Sequence, residues 1–428
     1  MNKIKMLCGI CIMLIIILLP GACKMQSGST DGGDFNHDDG QKEPPTITKS
    51  AQAVTNAVTP TSAPAVNISK IALRNCSIID GRGELVIEEG VILIEQDRIV
   101  KVGTQKSLSI PDDYLKIDLN GNTVLPGFIN TNVRNSYNLS NLQNWLKGGV
   151  TTVRDLGDIG NEEAIRFMNE NNARADTARI IVTSPALTVP GGYGQKYFHT
   201  VDEAKDLVTR YSNLGVKAIK ISFEDNIYGK MWSCPTYEEY SAIVETAHSA
   251  GRKTVAHITH AKYLEYAVEL GIDQITHMVK DIAGEALCKA IADKGIYWIP
   301  TLELWKGIDE VEGLNDCFIA KQNLKMFYKE GGKIAFGTGY GSYSYEFDKG
   351  FPITEVKLMK EAGMSNMDII LSGTRNAAEA CDMSDSLGTV EAGKIADLLV
   401  VEGDPLKKID NLGNTYMVIH NGQIVNLS

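Results

Sequence analysis

Three residues offer the plainest chemistry in this 428-residue chain: Lys220, His257 and His277. Lys220 lies in Gly215-Val216-Lys217-Ala218-Ile219-Lys220-Ile221-Ser222-Phe223. Alternation with period two puts Ile219, Ile221 and Phe223 on one face and Ala218, Lys220 and Ser222 on the other. A lysine on an enclosed face costs free energy unless it is paired or neutral. Burial lowers its pKa, and a neutral amine adds to CO2, releasing one proton, to give a carbamate. The carbamate oxygens then ligate a metal much as Asp or Glu would. An ion pair at the mouth of the fold is the alternative for the same lysine. His257 ends the run 254–257 and His277 ends 273–277, with one helical stretch between them. Neutral imidazole is a common zinc ligand, and three protein ligands plus water make a catalytic zinc site. Each histidine taken singly reads as a hydrogen-bonded core residue. Three candidates on successive strand ends turn the reading toward one divalent metal, with zinc the expected ion.

The elements that must position these residues repeat along the chain. Short apolar runs at 151–153, 180–182, 218–222, 254–257, 273–277, 298–300 and 333–336 alternate with amphipathic helical stretches. Gly149, Gly215, Gly251, Gly271, Gly295 and Gly332 punctuate helix ends before strands. Ser365 with Asp368 resembles a capping box opening a late helix. Repeated βα units over 126–385 predict an α/β chain with a TIM (β/α)8 barrel, whose chemistry sits at the C-terminal ends of its strands. Short β-like runs with turn signals fill 68–125 and return at 386–428. The two ends are expected to form one discontinuous small β-sandwich.

The N-terminus reads as an address. Lys3 and Lys5 precede an apolar run from 6 to 19, which is short for a membrane span and suits a signal-peptide core over 1–22. Ahead of Cys23, the run Leu18-Leu19-Pro20-Gly21-Ala22 resembles a bacterial lipobox, with Pro20 off the usual pattern. Lipidation of Cys23 would make an extracytoplasmic, membrane-anchored lipoprotein that touches the membrane through its lipid alone. An ordinary secretory cleavage nearby is the alternative. The stretch 23–67 is rich in Ser, Thr, Pro, Gly and Asp and reads as a flexible tether. The net charge of -11 argues against nucleic acid as a partner. The eight cysteines are too few and too scattered for a disulfide scaffold.

Longer motifs give a wider context. Val124-Leu125-Pro126-Gly127-Phe128-Ile129-Asn130-Thr131, Gly149-Val150-Thr151-Thr152-Val153-Arg154-Asp155, Ala247-His248-Ser249-Ala250-Gly251, Gly337-Thr338 and Gly388-Thr389-Val390-Glu391-Ala392-Gly393-Lys394-Ile395-Ala396-Asp397-Leu398 stand in that order. With these the chain resembles the amidohydrolase superfamily, near its imidazolonepropionase and Xaa-Pro dipeptidase (prolidase-like) branch. The resemblance implies a metal-dependent hydrolase of C–N bonds in which a carbamylated lysine bridges two metals. Lys220, His257 and His277 fall on the bridging lysine and on the histidines of strands five and six.

The departures from that pattern are specific. The His-x-His expected at the end of strand one is Asn132-Val133-Arg134, and the aspartate expected after Gly337-Thr338 is Gly339. Asn is a poor ligand and Arg cannot ligate. At most one metal survives, or none, and the obvious general base is lost. Glu224 and Glu303 are candidate replacements, although each reads first as a solvated loop carboxylate. Asn132, Arg134, Tyr193 and His260 are expected to touch substrate, an amide or a carboxylate-bearing small molecule. The expected function is C–N hydrolysis (amide, cyclic amide or dipeptide-like), weak or altered. The alternative is a catalytically silent lipoprotein that binds a small ligand in the barrel mouth. The oligomeric state stays open.

Overall fold

The computed structural model describes residues 69–156 and 161–427. The expected signal peptide, the tether and Cys23 lie outside the described residues.

Eight parallel strands form the centre: Phe128–Val133, Val150–Asp155, Arg179–Val182, Ala218–Phe223, Lys253–Ile258, Gln274–Thr276, Tyr297–Ile299 and Lys333–Ile334, here counted first to eighth. Neighbours pair in parallel register within the first to third and within the fourth to eighth. Two seams close the ring. Lys217 N–H donates to Val182 O and Ser184 N–H to Ala218 O, joining the third strand to the fourth. Thr131 N–H donates to Phe336 O, Gly339 N–H to Asn132 O and Arg134 N–H to Tyr340 O, joining the eighth to the first. The barrel expected from the βα repeat is therefore closed.

The local chemistry fits this architecture. The first four strands are buried at every position, as strands covered on both faces must be. Asn138, Asn161, Thr200 and Thr236 cap the helices that follow with side-chain oxygens. Ser365 accepts the Asp368 N–H and opens the helix Asn366–Gly373 as expected. Gly215 ends its helix at φ +93°, a conformation that favours glycine.

Residues 70–126 and 398–424 meet in one small sheet domain. Leu398–Val401 pairs antiparallel with Thr123–Pro126. Hydrogen bonds run through eight strands as a single sheet, forked at Lys70–Ile78. The first half of that strand pairs with Leu115–Asp118 and its end with Thr123–Pro126. Strands on both sides of the fork share a core of Ile71, Leu73, Ile92, Val124, Leu398 and Ile419. A buried ion pair ties this domain to the barrel: Arg179 Nη1 lies 2.5 Å from Asp397 Oδ2, and His420 Nδ1 lies 3.1 Å from Asp397 Oδ1. Asp397 belongs to the motif that returns the chain to this domain.

After the eighth strand, residues 339–352 run without a helix before Ile353–Glu361. Tyr343 and Tyr345 stack there at 5.2 Å. Gly307 leaves the room: a Cβ at that position would stand 2.0 Å from the Tyr345 ring.

Candidate active site

Lys220, His257 and His277 project from strands that are adjacent in the barrel. Ser222 stands opposite His257 in the fourth–fifth register, and His257 opposite Thr276 in the fifth–sixth. All three side chains are buried, with Lys220 3% and His257 4% exposed. Lys220 Nζ donates to Leu156 O. The two imidazole rings meet edge to face at 4.8 Å. Burial first, and then the charges of Lys220 and Arg134, hold both histidines below their ordinary pKa; for His257 the Glu224 carboxylate opposes this in part. Burial thus favours the neutral form of both imidazoles, the form that ligates metal.

Each ring is set by one neighbour. His277 Nδ1 lies 2.8 Å from Thr301 Oγ1, leaving Nε2 as the nitrogen for a ligand. His277 and Thr301 both hold left-handed backbone, at φ +72° and +52°. For a β-branched residue that conformation is a true outlier, and such strain collects at functional sites. His257 Nε2 lies 3.3 Å from Glu224 Oε2, and Tyr193 stacks on the ring at 4.6 Å. Neither nitrogen of His257 has a well-formed hydrogen bond. A buried polar ring of this kind calls for a partner. A metal-ligating histidine usually donates its other ring N–H to a carboxylate, a backbone carbonyl or water; Glu224 supplies a carboxylate, and Thr301 a hydroxyl where a water would otherwise serve.

Glu224 corrects the sequence expectation. It is not a solvated loop carboxylate: it is 1% exposed and accepts from Thr259 Oγ1 and the Asn226 N–H. Burial pushes its pKa up, but the imidazoles of His257 and His260 and the Thr259 hydroxyl beside it prevail and hold it down at about 2. Its position was legible: the alternation that turns Lys220 and Ser222 inward reaches residue 224 next. Glu303 is buried too, and burial pushes its carboxyl up to about 9. It accepts the Asp348 N–H at 2.7 Å and so fastens the segment after the eighth strand. A general base must be ionised near the operating pH, and Glu303 is not. Thr301, Thr259 and Trp305, whose ring lies 6.2 Å from that of His277, are site residues that sequence reasoning missed.

The departures from the family pattern hold in three dimensions. Asn132 is buried and its Nδ2 has no partner. Arg134 is half-buried, and its charge reaches both histidines and Tyr193. Gly339 adopts φ +73°, and a Cβ there would stand 3.0 Å from Leu304 Cδ2. The backbone at the eighth strand thus has little room for the side chain that the pattern expects. His260 sits beside Glu224, with Nδ1 3.4 Å from Oε1.

A closed barrel, a sheet domain built from both chain ends and a lysine–histidine set at the strand ends define an amidohydrolase. Residues 123–425 match the amidohydrolase family model, and the chain belongs to that family of hydrolases, generally metal-dependent, that act on carbon–nitrogen bonds of small molecules. Among its relatives, the imidazolonepropionase of Fusobacterium nucleatum is 23% identical over 411 residues, covering 80% of this chain and 92% of that protein. The 5-methylthioadenosine/S-adenosylhomocysteine deaminase of Bacillus cereus is 21% identical over 405 residues, covering 76% and 82%. A Xaa-Pro dipeptidase structure with bound methionine in its active site superposes with a TM-score of 0.73 at 24% identity, covering 84% of this chain and all of that one. The Aspergillus niger ochratoxinase structure gives 0.72 at 19% identity, covering 83% and 95%. These matches bear out the resemblance read from the motifs; at such identities the structures speak for the fold.

Proposed function

We propose that this chain is a hydrolase of amide or cyclic-amide bonds that works with a single divalent metal, zinc by preference, held by Lys220 as its carbamate, His257 and His277. The observation that supports this most is the pair of buried imidazoles that meet edge to face on adjacent strand ends beside Lys220, with His277 held by Thr301 Oγ1. When bound, such a cation supplies Lewis acidity and lowers the pKa of coordinated water. The protein's own residues do the rest. Glu224 and Thr301 orient the two rings. Arg134 offers a cation suited to a substrate carboxylate. Tyr193 walls the pocket against His257. Asn132 presents an unpaired N–H. With Gly339 in place of a proton-shuttling carboxylate, turnover is weaker by a factor on the order of 10²–10⁴, the contribution of a positioned acid–base group. The relatives named for imidazolonepropionate and Xaa-Pro dipeptide hydrolysis suggest a small amide that also carries a carboxylate. Anchoring through a lipid on Cys23 is the matching proposal for location.

The test is metal content by mass spectrometry on the full-length chain, supplied with zinc and bicarbonate, beside His257→Ala and His277→Ala. Zinc bound by the wild type and reduced by one ion per chain in both variants supports the proposal and justifies a screen of carboxylated amides. No bound metal would overturn it. The loss of the strand-one histidines favours a second reading, a silent carboxylate binder, and tight binding without turnover or metal would establish that one.

A further inference from the structure

On the other side of Glu224 from His257 lies a second group of ligand-type side chains. Glu224, Asp225 and His260 bring one donor atom each within 4.8 Å of one another. Glu224 Oε1 and His260 Nδ1 are 3.4 Å apart. Two ligands of one tetrahedral zinc, each about 2.0–2.2 Å from the ion, stand about 3.3–3.6 Å apart. Asp225 Oδ1 is buried without a partner, while its other oxygen is held by Lys262 Nζ. A further observation points the same way. His257, 4% exposed, aims Nε2 at the Glu224 carboxylate from 3.3 Å without forming a proper hydrogen bond. His260 Nδ1 also lies 3.1 Å from Thr259 Oγ1, a contact that a cation at this place would replace.

We infer that Glu224, Asp225 and His260 form an outer divalent-cation site at the mouth of the barrel, suited to zinc by its mixed nitrogen and oxygen donors. None of these residues belongs to the Lys220–His257–His277 set. The outer site would give the pocket a second dication without the missing strand-one histidines, with Glu224 joining it to His257. It does not depend on the inner metal.

The experiment counts zinc by mass spectrometry on full-length chain that has been stripped with chelator and reloaded with zinc and bicarbonate. Wild type is compared with His260→Ala, Asp225→Asn and His277→Ala. His260 and Asp225 side chains are 20% and 27% exposed, so the fold tolerates both changes, and melting of the metal-free proteins checks this. Two zinc ions in the wild type, with one lost in His260→Ala and Asp225→Asn and the other lost in His277→Ala, is the expected result. A single zinc lost in His260→Ala and Asp225→Asn but kept in His277→Ala supports the outer site and sinks the inner one. Wild-type content in both outer variants overturns the outer site. A single zinc lost in all three variants also overturns it, since one mixed site would then explain the metal. No zinc in the wild type overturns both.

Discussion

Thr301→Val deletes one hydroxyl at the centre of the proposed site and keeps the side chain's shape. In the wild type, Thr301 Oγ1 and His277 Nδ1 lie 2.8 Å apart and both residues are buried. Losing the hydroxyl leaves Nδ1 buried and unpaired, at a cost of about 1–3 kcal/mol. The same bond fixes which nitrogen of His277 faces the metal. Removing such an outer partner typically lowers metal affinity about 10–100-fold, which is about 1.4–2.7 kcal/mol. The two effects separate when the metal-free melt and the zinc affinity are measured side by side, the latter by competition with a chromophoric chelator. Thr301→Ser is the control: it keeps the hydroxyl and relaxes the β-branched strain at φ +52°. Serine is expected to match the wild type in zinc affinity and valine to fall below it. In a His277→Ala background the valine change should have no further effect on zinc. Equal zinc affinity in Thr301→Val and Thr301→Ser would refute the claim that Thr301 orients a ligand.

Three more outcomes follow from the same geometry. Glu224 has its pKa depressed from 4.5 to about 2, so its stabilisation is complete above pH 4.5 and is lost as pH falls through 2; Glu224→Gln should remove about 3 kcal/mol at neutral pH and flatten the acid limb of the stability curve measured by urea melts. Glu303 has the opposite sign, raised from 4.5 to about 9, so its contribution is complete below pH 4.5 and is lost as pH rises through 9; Glu303→Gln should melt no lower than wild type at pH 8, and a large drop there would contradict the protonated buried acid. Gly339→Asp, which restores the family's carboxylate in sequence, meets positive φ and the Leu304 side chain; a lowered melting temperature and no gained hydrolysis are expected, and a gain of turnover at unchanged stability would show that the backbone there relaxes.

The barrel was legible because its strands are enclosed on both faces, so they read as uninterrupted apolar runs set between helix-ending glycines. Residues 180–182 are such a run; Ala218–Phe223 carries Lys220 and Ser222 on its inward face, yet it is buried throughout, as is Arg179–Val182. The inward face of Lys220 followed from alternation alone. Glu224 is named by the sequence as a candidate but reads as a loop carboxylate, because it stands just past the strand; the inward-facing series continues one residue past the last ladder bond and buries it. The Thr301–His277 contact had no signal in sequence. It is a bond between two strand ends 24 residues apart, made only when both backbones turn left-handed. The fork in the sheet domain was also hidden, because it depends on which partner each half of Lys70–Ile78 selects.

The electrostatics of the pocket explain why the strand-one change and the buried glutamate belong together. A histidine pair with a dication between them is replaced by Arg134, a fixed single charge that deprotonation cannot remove. Burial holds His257 and His277 below their ordinary pKa, and the charges of Lys220 and Arg134 add to it. An unmodified, protonated Lys220 would leave two cations facing two uncharged rings, with Glu224 as the carboxylate that answers them at His257. Carbamylation of Lys220 reverses its sign, turns Arg134 from a repelled neighbour into a counter-ion, and creates the anionic oxygen that a metal at His257 and His277 lacks. On the proposed reading, Arg134 and a carbamate at Lys220 would stabilise one another. On that reasoning, zinc uptake by Arg134→Met should lose its dependence on bicarbonate together with its affinity, whereas a purely substrate-binding Arg134 would leave zinc uptake untouched.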